Sequence, residues 1–220
     1  MLVGLRRSFA GIRATSRDSI PCISPWTMAS SSCMHDRLDE PDVRRLSVAE
    51  YFKKPETMRP MELVYGVVRE PPAPRYGHQS LLTHLAALMN VYVREHQLGE
   101  VCVAPVDVVL DERAGLVVQP DIIFVAGDRL SIVRDRVFGP PDLVVEVLSP
   151  RTAKRDRTTK LAWYGRYGVR ECWLVDVRHR SIEVVELQAG AERRRTFSGG
   201  ELLQSSVLPG WAIPVEGIFD

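Results

Sequence analysis

One short run of residues limits most strongly what this chain can fold into. In the segment PPDLVVEVL, five of the seven residues from Asp142 to Leu148 are Leu or Val. A continuous apolar run of this length is typical of a strand buried on both faces, in a sheet that is covered on both sides. Glu146 interrupts the run, and an unpaired carboxylate there would cost several kcal/mol. The sequence therefore predicts a central strand whose carboxylate has a specific partner.

The patterns on either side of this strand predict a domain that mixes helices and strands. Two longer helices are predicted, over residues 78–99, ended by Gly99, and over residues 152–168, ended by Gly168. The apolar stripe of the first consists of Leu81, Leu85, Leu88 and Tyr92. Strands are predicted for CVAPVDVVL, DIIFVAG, ECWLVDV and SIEVVEL, and a hairpin turn at Tyr65-Gly66. The predicted fold class is α/β or α+β, with a mixed central β-sheet flanked by helices.

Length and patterning place one domain at residues 45–220. A chain of 220 residues suits a single domain with an extension. Residues 1–44 lack periodicity and a sustained apolar segment, so we expect a disordered extension rather than a secretory signal. No apolar stretch reaches the ~18 residues of a transmembrane helix.

Composition and missing motifs exclude several classes of protein. The four cysteines form no CxxC pair, which argues against a zinc site and predicts a reducing, cytoplasmic setting. No P-loop, GxGxxG or GxSxG motif is present, which argues against nucleotide-dependent enzymes and serine hydrolases. Net charge is only +1, but residues 151–180 hold nine Lys/Arg against three Asp/Glu. That stretch is either a phosphate-facing patch or a solvated helix face.

Acidic residues in or beside the apolar strands are the candidates for chemistry. Asp121 opens DIIFV, Asp107 interrupts VDVV and Glu62 precedes LVYG. If the DIIFV strand lies beside the central strand, Asp121 and Glu146 converge at one edge of the sheet, and Mg²⁺ or Mn²⁺ would relieve their repulsion. The alternatives are a salt bridge from Glu146 to Lys160 or to an Arg of the following helix, and a paired-carboxylate glycosidase. The low aromatic content disfavours the glycosidase.

Two further residues have positions that suit a site. Asp156, Lys160, Tyr164 and Tyr167 lie near one face of the second helix, which can return Lys160 to the central strand. An ordinary pair between Lys160 and Asp156 is the alternative. His78 lies at the inward side of the first helix, where a buried, hydrogen-bonded histidine is the alternative to a catalytic one.

These motifs, in this order, resemble a known family. The combination of ELVYG, GHQSLLTHLAALM, VQPDIIFV and GPPDLVVEVLSPRTAKRDRTTKLAWYGRYGVRECWLVD resembles the Uma2 family, bacterial endonucleases of the PD-(D/E)XK superfamily. The likeness runs from about Leu46 to the C-terminus. It implies a restriction-endonuclease-like fold and Mg²⁺-dependent cleavage of phosphodiester bonds, with DNA as the expected partner.

The resemblance also implies roles for individual residues. Asp121 matches the PD aspartate and Glu146 the acidic residue of the D/E-x-K element, so both are expected metal ligands. Leu148 stands where that element has Lys, and Lys160 is the expected substitute. Glu62 and His78 match polar positions of the family, as an added ligand and a proton carrier. The expected phosphate contacts are Arg151, Lys154, Arg155 and Arg157.

Two expectations about assembly and activity accompany this reading. Many nucleases cut two strands with two active sites, so a homodimer is one assembly that the sequence allows, and the oligomeric state is left open. The rival function is a non-catalytic module that binds DNA or protein on the same fold.

Overall fold

The computed structural model describes residues 44–55, 57–150, 153–188 and 191–220. The α-helices are α1 (Val48–Tyr51), α2 (Tyr76–Glu95), α3 (Ala153–Arg155), α4 (Leu161–Tyr167) and α5 (Glu216–Phe219). The strands are β1 (Glu62–Val64), β2 (Val67–Arg69), β3 (Gly99–Val103), β4 (Val108–Asp111), β5 (Leu116–Val118), β6 (Ile122–Ala126), β7 (Val137–Phe138), β8 (Leu143–Leu148), β9 (Glu171–Asp176), β10 (Ser181–Gln188), β11 (Ala191–Ser198), β12 (Leu202–Gln204) and β13 (Ala212–Pro214). A 3-10 helix follows β6, and a π-helical turn, Asp156–Lys160, joins α3 to α4.

The larger of the sheets has six strands in the order β11-β10-β9-β8-β6-β3. Strand β8 runs parallel to β9 and antiparallel to β6, so the sheet is mixed. All six residues of β8 are buried. The predicted fold class and the predicted central strand are confirmed.

A second sheet has five strands in the order β2-β1-β5-β4-β7, and β12 pairs with β13 in a separate ribbon. The β1–β2 hairpin turns at Tyr65-Gly66, as the sequence predicts. Both residues have positive φ, 50° and 84°, as a tight two-residue hairpin turn requires. A side chain at Gly66 would bring its Cβ within 2.9 Å of the Arg45 Cβ, so glycine is also needed for space.

Apolar side chains form clusters on both faces of the six-stranded sheet. One face of β8, with Val145 and Val147, packs with α2 and the C-terminal segment. The other face, with Val144 and Leu148, packs with α4 and with strands of the five-stranded sheet. Glu146 therefore points into the layer between the two sheets and α4.

Local signals explain where the helices begin and end. Ser47 and Glu50 form a capping box at the start of α1. Gly168, with φ 98°, ends α4 in the left-handed conformation, as predicted. The first long helix ends earlier than predicted, at Glu95, and Gly99 instead begins β3.

Several elements differ from the sequence-based prediction. The segment CVAPVDVVL is not one strand, because the chain turns at Pro105 and its two halves, β3 and β4, join different sheets. Buried residues of α2 include Met89 and Val93, whereas the predicted Leu88 and Tyr92 are only partly buried. The polar edge strand β11, AERRRTFS, has no apolar alternation and was not predicted.

Of the predicted extension 1–44, only Arg44 lies within the described residues. Within the described part of the chain, no helix is long and apolar enough to cross a membrane.

Candidate functional site

Glu146 is buried in the central strand and is held by two side chains of the following helical segment. Its side chain accepts from the Lys160 ammonium at 2.9 Å on Oε1 and 3.1 Å on Oε2. The Tyr164 hydroxyl donates to the same Oε1. Glu146 and Lys160 are 3% and 5% exposed. The salt bridge that the sequence left open as an alternative is therefore present in the structure.

Asp121 lies immediately before β6, at the end of the sheet where the antiparallel strand β8 ends. Register pairs Ile122 with Val145, which brings Asp121 beside Glu146. The Val147 N–H donates to Asp121 Oδ2 at 2.7 Å. His78 Nε2, on the first turn of α2, lies 3.3 Å from Asp121 Oδ1. The sheet and α2 thus hold the aspartate from two sides, and both side chains are only partly buried.

Lys160 occupies the last position of the π-helical turn and reaches a second carboxylate. Its Nζ lies 3.2 Å from Oε1 of Glu62, which is 1% exposed at the start of β1. A π turn is wider than an α turn and often occurs at functional sites. Here it brings both Asp156 and Lys160 into the buried layer.

Glu62 has its own fixed surroundings. Arg155 Nη2 lies 2.8 Å from Glu62 Oε2, and the Gln119 N–H donates to Oε1 at 3.3 Å. The Arg155 guanidinium lies 5.6 Å from the centre of the Trp163 ring. Contacts from the connection between β5 and β6 and from the helical segment therefore fix this carboxylate.

Burial and neighbouring charges give the two glutamates different pKa values. Complete burial, reinforced by Asp121, raises the pKa of Glu146 to about 8, although Lys160 opposes the shift. Burial also acts to raise the pKa of Glu62, but Lys160 and Arg155 outweigh it and lower the pKa below its usual value. Of the two glutamates, Glu62 is therefore the one that ionises more readily.

The pKa of Lys160 follows from the same balance. Burial alone would lower it, but the surrounding carboxylates, led by Glu146 and Glu62, outweigh burial and raise the pKa. The ammonium is therefore charged throughout the physiological range.

The four expected phosphate contacts differ in what they touch. Arg155 is ion-paired with Glu62, and Arg157 contacts Glu183 and lies 3.5 Å from Asp176. Lys154 is exposed. The fourth, Arg151, lies outside the described residues.

Tyr164 is a site residue that the sequence analysis placed on the correct helix face without giving it a role. Its hydroxyl reaches Glu146, whereas that of Tyr167, on the same predicted face, donates to Asp111 at 3.1 Å. The position of Tyr164 on this helix face would identify it as a partner of Glu146 only if hydroxyl groups were considered together with charged groups.

Asp107, the remaining out-of-place carboxylate, does not join this group. It accepts from Gln119 Nε2 at 2.9 Å and pairs with Arg136 at 3.3 Å. The Tyr51 hydroxyl of α1 also lies 3.4 Å from Asp107 Oδ1, so these contacts connect loops around α1.

The donor set suits a small, hard cation. Mg²⁺ usually takes about one or two carboxylates from a protein and keeps several waters. Asp121 and Glu146 supply two neighbouring carboxylates at the end of the central strands. Among the residues that the structure describes, no three His, Cys, Asp or Glu side chains form a ready-made metal cage. The carboxylate pair therefore fits an ion whose coordination water and substrate complete.

Comparison with known proteins adds a family and a related fold. A sequence model of the Uma2 family, described as "Putative restriction endonuclease", matches residues 48–216. A crystal structure from Anabaena variabilis ATCC 29413, described as "a putative nuclease belonging to DUF820", is similar with a TM-score of 0.67 at 18% identity. The similarity covers 79% of this chain and 97% of that one, and at this identity it establishes the fold alone. No curated protein matches the chain.

Proposed function

Because the chain belongs to the Uma2 family, we propose that it is an Mg²⁺-dependent endonuclease that hydrolyses phosphodiester bonds in DNA. The observation that carries the proposal is the buried Glu146 on the central strand, with Asp121 beside it and Lys160 in contact. A structural salt bridge needs only one of these carboxylates. The second carboxylate, that of Asp121, lies at the start of β6 and is partly open to solvent, which supports a cation site.

The proposed roles follow from the contacts of each residue. Asp121 and Glu146 would hold Mg²⁺, or Mn²⁺ in its place, which when bound polarises the scissile phosphate and lowers the pKa of a bound water. Lys160 places a permanent positive charge next to them, where it stabilises the charge that develops on the phosphate. Such preorganised charge can be worth ~3 kcal/mol of transition-state stabilisation.

His78 lies on the solvent side of the same aspartate, which suits a role in proton transfer. Its ring nitrogen contacts Asp121, and the side chain is 15% exposed, so it can exchange a proton with water while keeping its orientation. Asp121 would then have two tasks, to help hold the cation and to orient the imidazole.

The proposal is tested by cleavage assays on single-stranded, duplex and branched DNA and on RNA, with Mg²⁺ or Mn²⁺ and with EDTA. We expect DNA cleavage that EDTA abolishes. Glu146→Gln, which keeps the size of the side chain, should abolish it as well, whereas Glu112→Gln at an exposed position should not. Unchanged cleavage by Glu146→Gln would overturn the assignment of the site.

Calorimetric titration with Mg²⁺ separates the enzyme from the rival, a non-catalytic module on the same fold. The enzyme should bind the cation, and the Asp121→Asn substitution should abolish this binding. A wild-type protein that binds DNA but neither binds Mg²⁺ nor cleaves would favour the module.

A further inference from the structure

Lys160 is shared by two carboxylates that come from different sheets. Its ammonium lies 2.9 Å from Glu146 of the six-stranded sheet and 3.2 Å from Glu62 of the five-stranded sheet. An ammonium has three donors, so the two contacts can be made at once. The geometry gives Lys160 a second acceptor within reach, without any change of position.

Glu62 has partners of its own besides Lys160, and these do not involve Glu146. Glu62 is held by Arg155 at 2.8 Å and by the Gln119 N–H at 3.3 Å, and it is almost fully buried. Asp121, whose side chain is 20% exposed, lies beside Glu146 in the register of β6 and β8. A cation that enters beside Asp121 therefore meets Glu146 first.

A cation on Glu146 and the Lys160 ammonium compete for the same two oxygens. Lys160 contacts both of them, and Tyr164 donates to Oε1. A cation held by Glu146 would take part of these lone pairs, and the ammonium would then lose part of its hold on Glu146. Glu62 stays ionised under these conditions, since its pKa is lowered by Lys160 and Arg155 against the effect of burial.

We propose that Glu62 is a positioning residue that keeps Lys160 in the site while Glu146 binds the cation, and that Arg155 fixes Glu62 for this task. Glu62 is then not a metal ligand, in contrast to the role that the family resemblance suggested. Arg155, expected as a phosphate contact, acts inside the site instead. The inference rests on the proposed nuclease function and names the part of the site that holds its lysine.

The test is a double-mutant cycle between Glu62→Gln and Lys160→Met, with cleavage measured in single turnovers at excess enzyme so that slow variants remain measurable. Loss of a positioning partner costs about 10–100-fold in rate in comparable sites, and we expect this from Glu62→Gln alone. In the Lys160→Met background, the same change should cost less than about threefold, because nothing remains to be positioned. Glu112→Gln serves as the control for a lost carboxylate.

Calorimetry with Mg²⁺ provides the second readout. Glu62→Gln should still bind the cation, whereas Asp121→Asn should not. If Glu62→Gln abolishes Mg²⁺ binding, or if its rate penalty is undiminished in the Lys160→Met background, Glu62 acts directly and the inference is wrong. Failure of the wild type itself to bind Mg²⁺ would instead overturn the proposed function, so the two failures are distinguishable.

Discussion

Glu146 and Glu62 are buried glutamates that contact the same ammonium, yet their pKa values are shifted in opposite directions. Glu62 has two cations and a backbone N–H around it, which keep it ionised. Burial raises the pKa of Glu146 to about 8, because Lys160 only partly opposes the effect of burial and the charge of Asp121 adds to it. Two carboxylates whose environments separate their pKa values in this way can take different roles in one site.

The pKa of Glu146 predicts how the affinity for Mg²⁺ depends on pH. Below about pH 8, the carboxyl holds a proton that an entering cation must displace. The association constant should therefore rise about tenfold per pH unit up to that point and level off above it. Calorimetric titrations in two buffers of different ionisation enthalpy measure both the affinity and the released proton. An affinity that stays constant below this pH would contradict a raised pKa.

Glu146 and its neighbour Lys160 could be predicted from the sequence, because each stands out in a local pattern. Glu146 interrupts an apolar run, and Lys160 falls on a helix face that returns to the strand. The contact between Lys160 and Glu62 has no such local sign, because it joins two sheets through residues far apart in the chain. It depends on which strands of the second sheet pack against α4, and that is decided by the whole core.

At the scale of elements, the helical segment after β8 has two different surfaces. The π turn and α4 direct Lys160 and Tyr164 into the buried layer, while Lys154 of α3 stays in solvent. The turn from α to π geometry was not predictable, since the residues DRTTK are compatible with an ordinary α-helix. What the sequence does show is a high density of positive charge, without indicating which charges are already paired.

Pairing within the chain predicts which basic residues of this segment bind phosphate. Lys154→Ala should weaken DNA binding for all sequences alike and lower the slope of log K against log salt concentration by about 1. Arg157→Ala should leave that slope unchanged and lower stability, because Arg157 already contacts Glu183 and Asp176. Fluorescence anisotropy with labelled DNA in EDTA, at several salt concentrations, measures both slopes. A reduced slope for Arg157→Ala would show that this residue leaves its carboxylates for DNA.

At the scale of the whole molecule, a buried carboxylate outside the candidate site holds the C-terminal segment against the central sheet. Glu171, at the start of β9, is fully buried. It accepts from Trp173 Nε1 at 2.7 Å, from Ser205 Oγ at 2.6 Å, and from Ser206 N and Oγ at 2.7 and 2.6 Å. These bonds hold the segment that leads to Leu208 and Trp211, which cover the α2 side of the sheet.

Removal of this carboxylate should loosen the fold far from the candidate site. Glu171→Ala leaves its buried donors without an acceptor, so we expect a loss of about 3 kcal/mol or more in the free energy of unfolding. Urea denaturation measures the change, with Glu112→Ala as an exposed control that should stay within about 0.5 kcal/mol of the wild type. Equal denaturation midpoints for Glu171→Ala and wild type would show that the serines find other partners.

The burial of Lys160 has a further consequence in a chain that contains only four lysines among its 29 basic residues. Lys53, Lys54 and Lys154 are exposed, whereas Lys160 is 5% exposed. An amine-reactive acylating reagent should therefore modify three positions quickly and the fourth only when the layer around it opens. Mass spectrometry of the labelled chain would then read, at a single residue and without a substrate, how often the interior of the site is open to solvent.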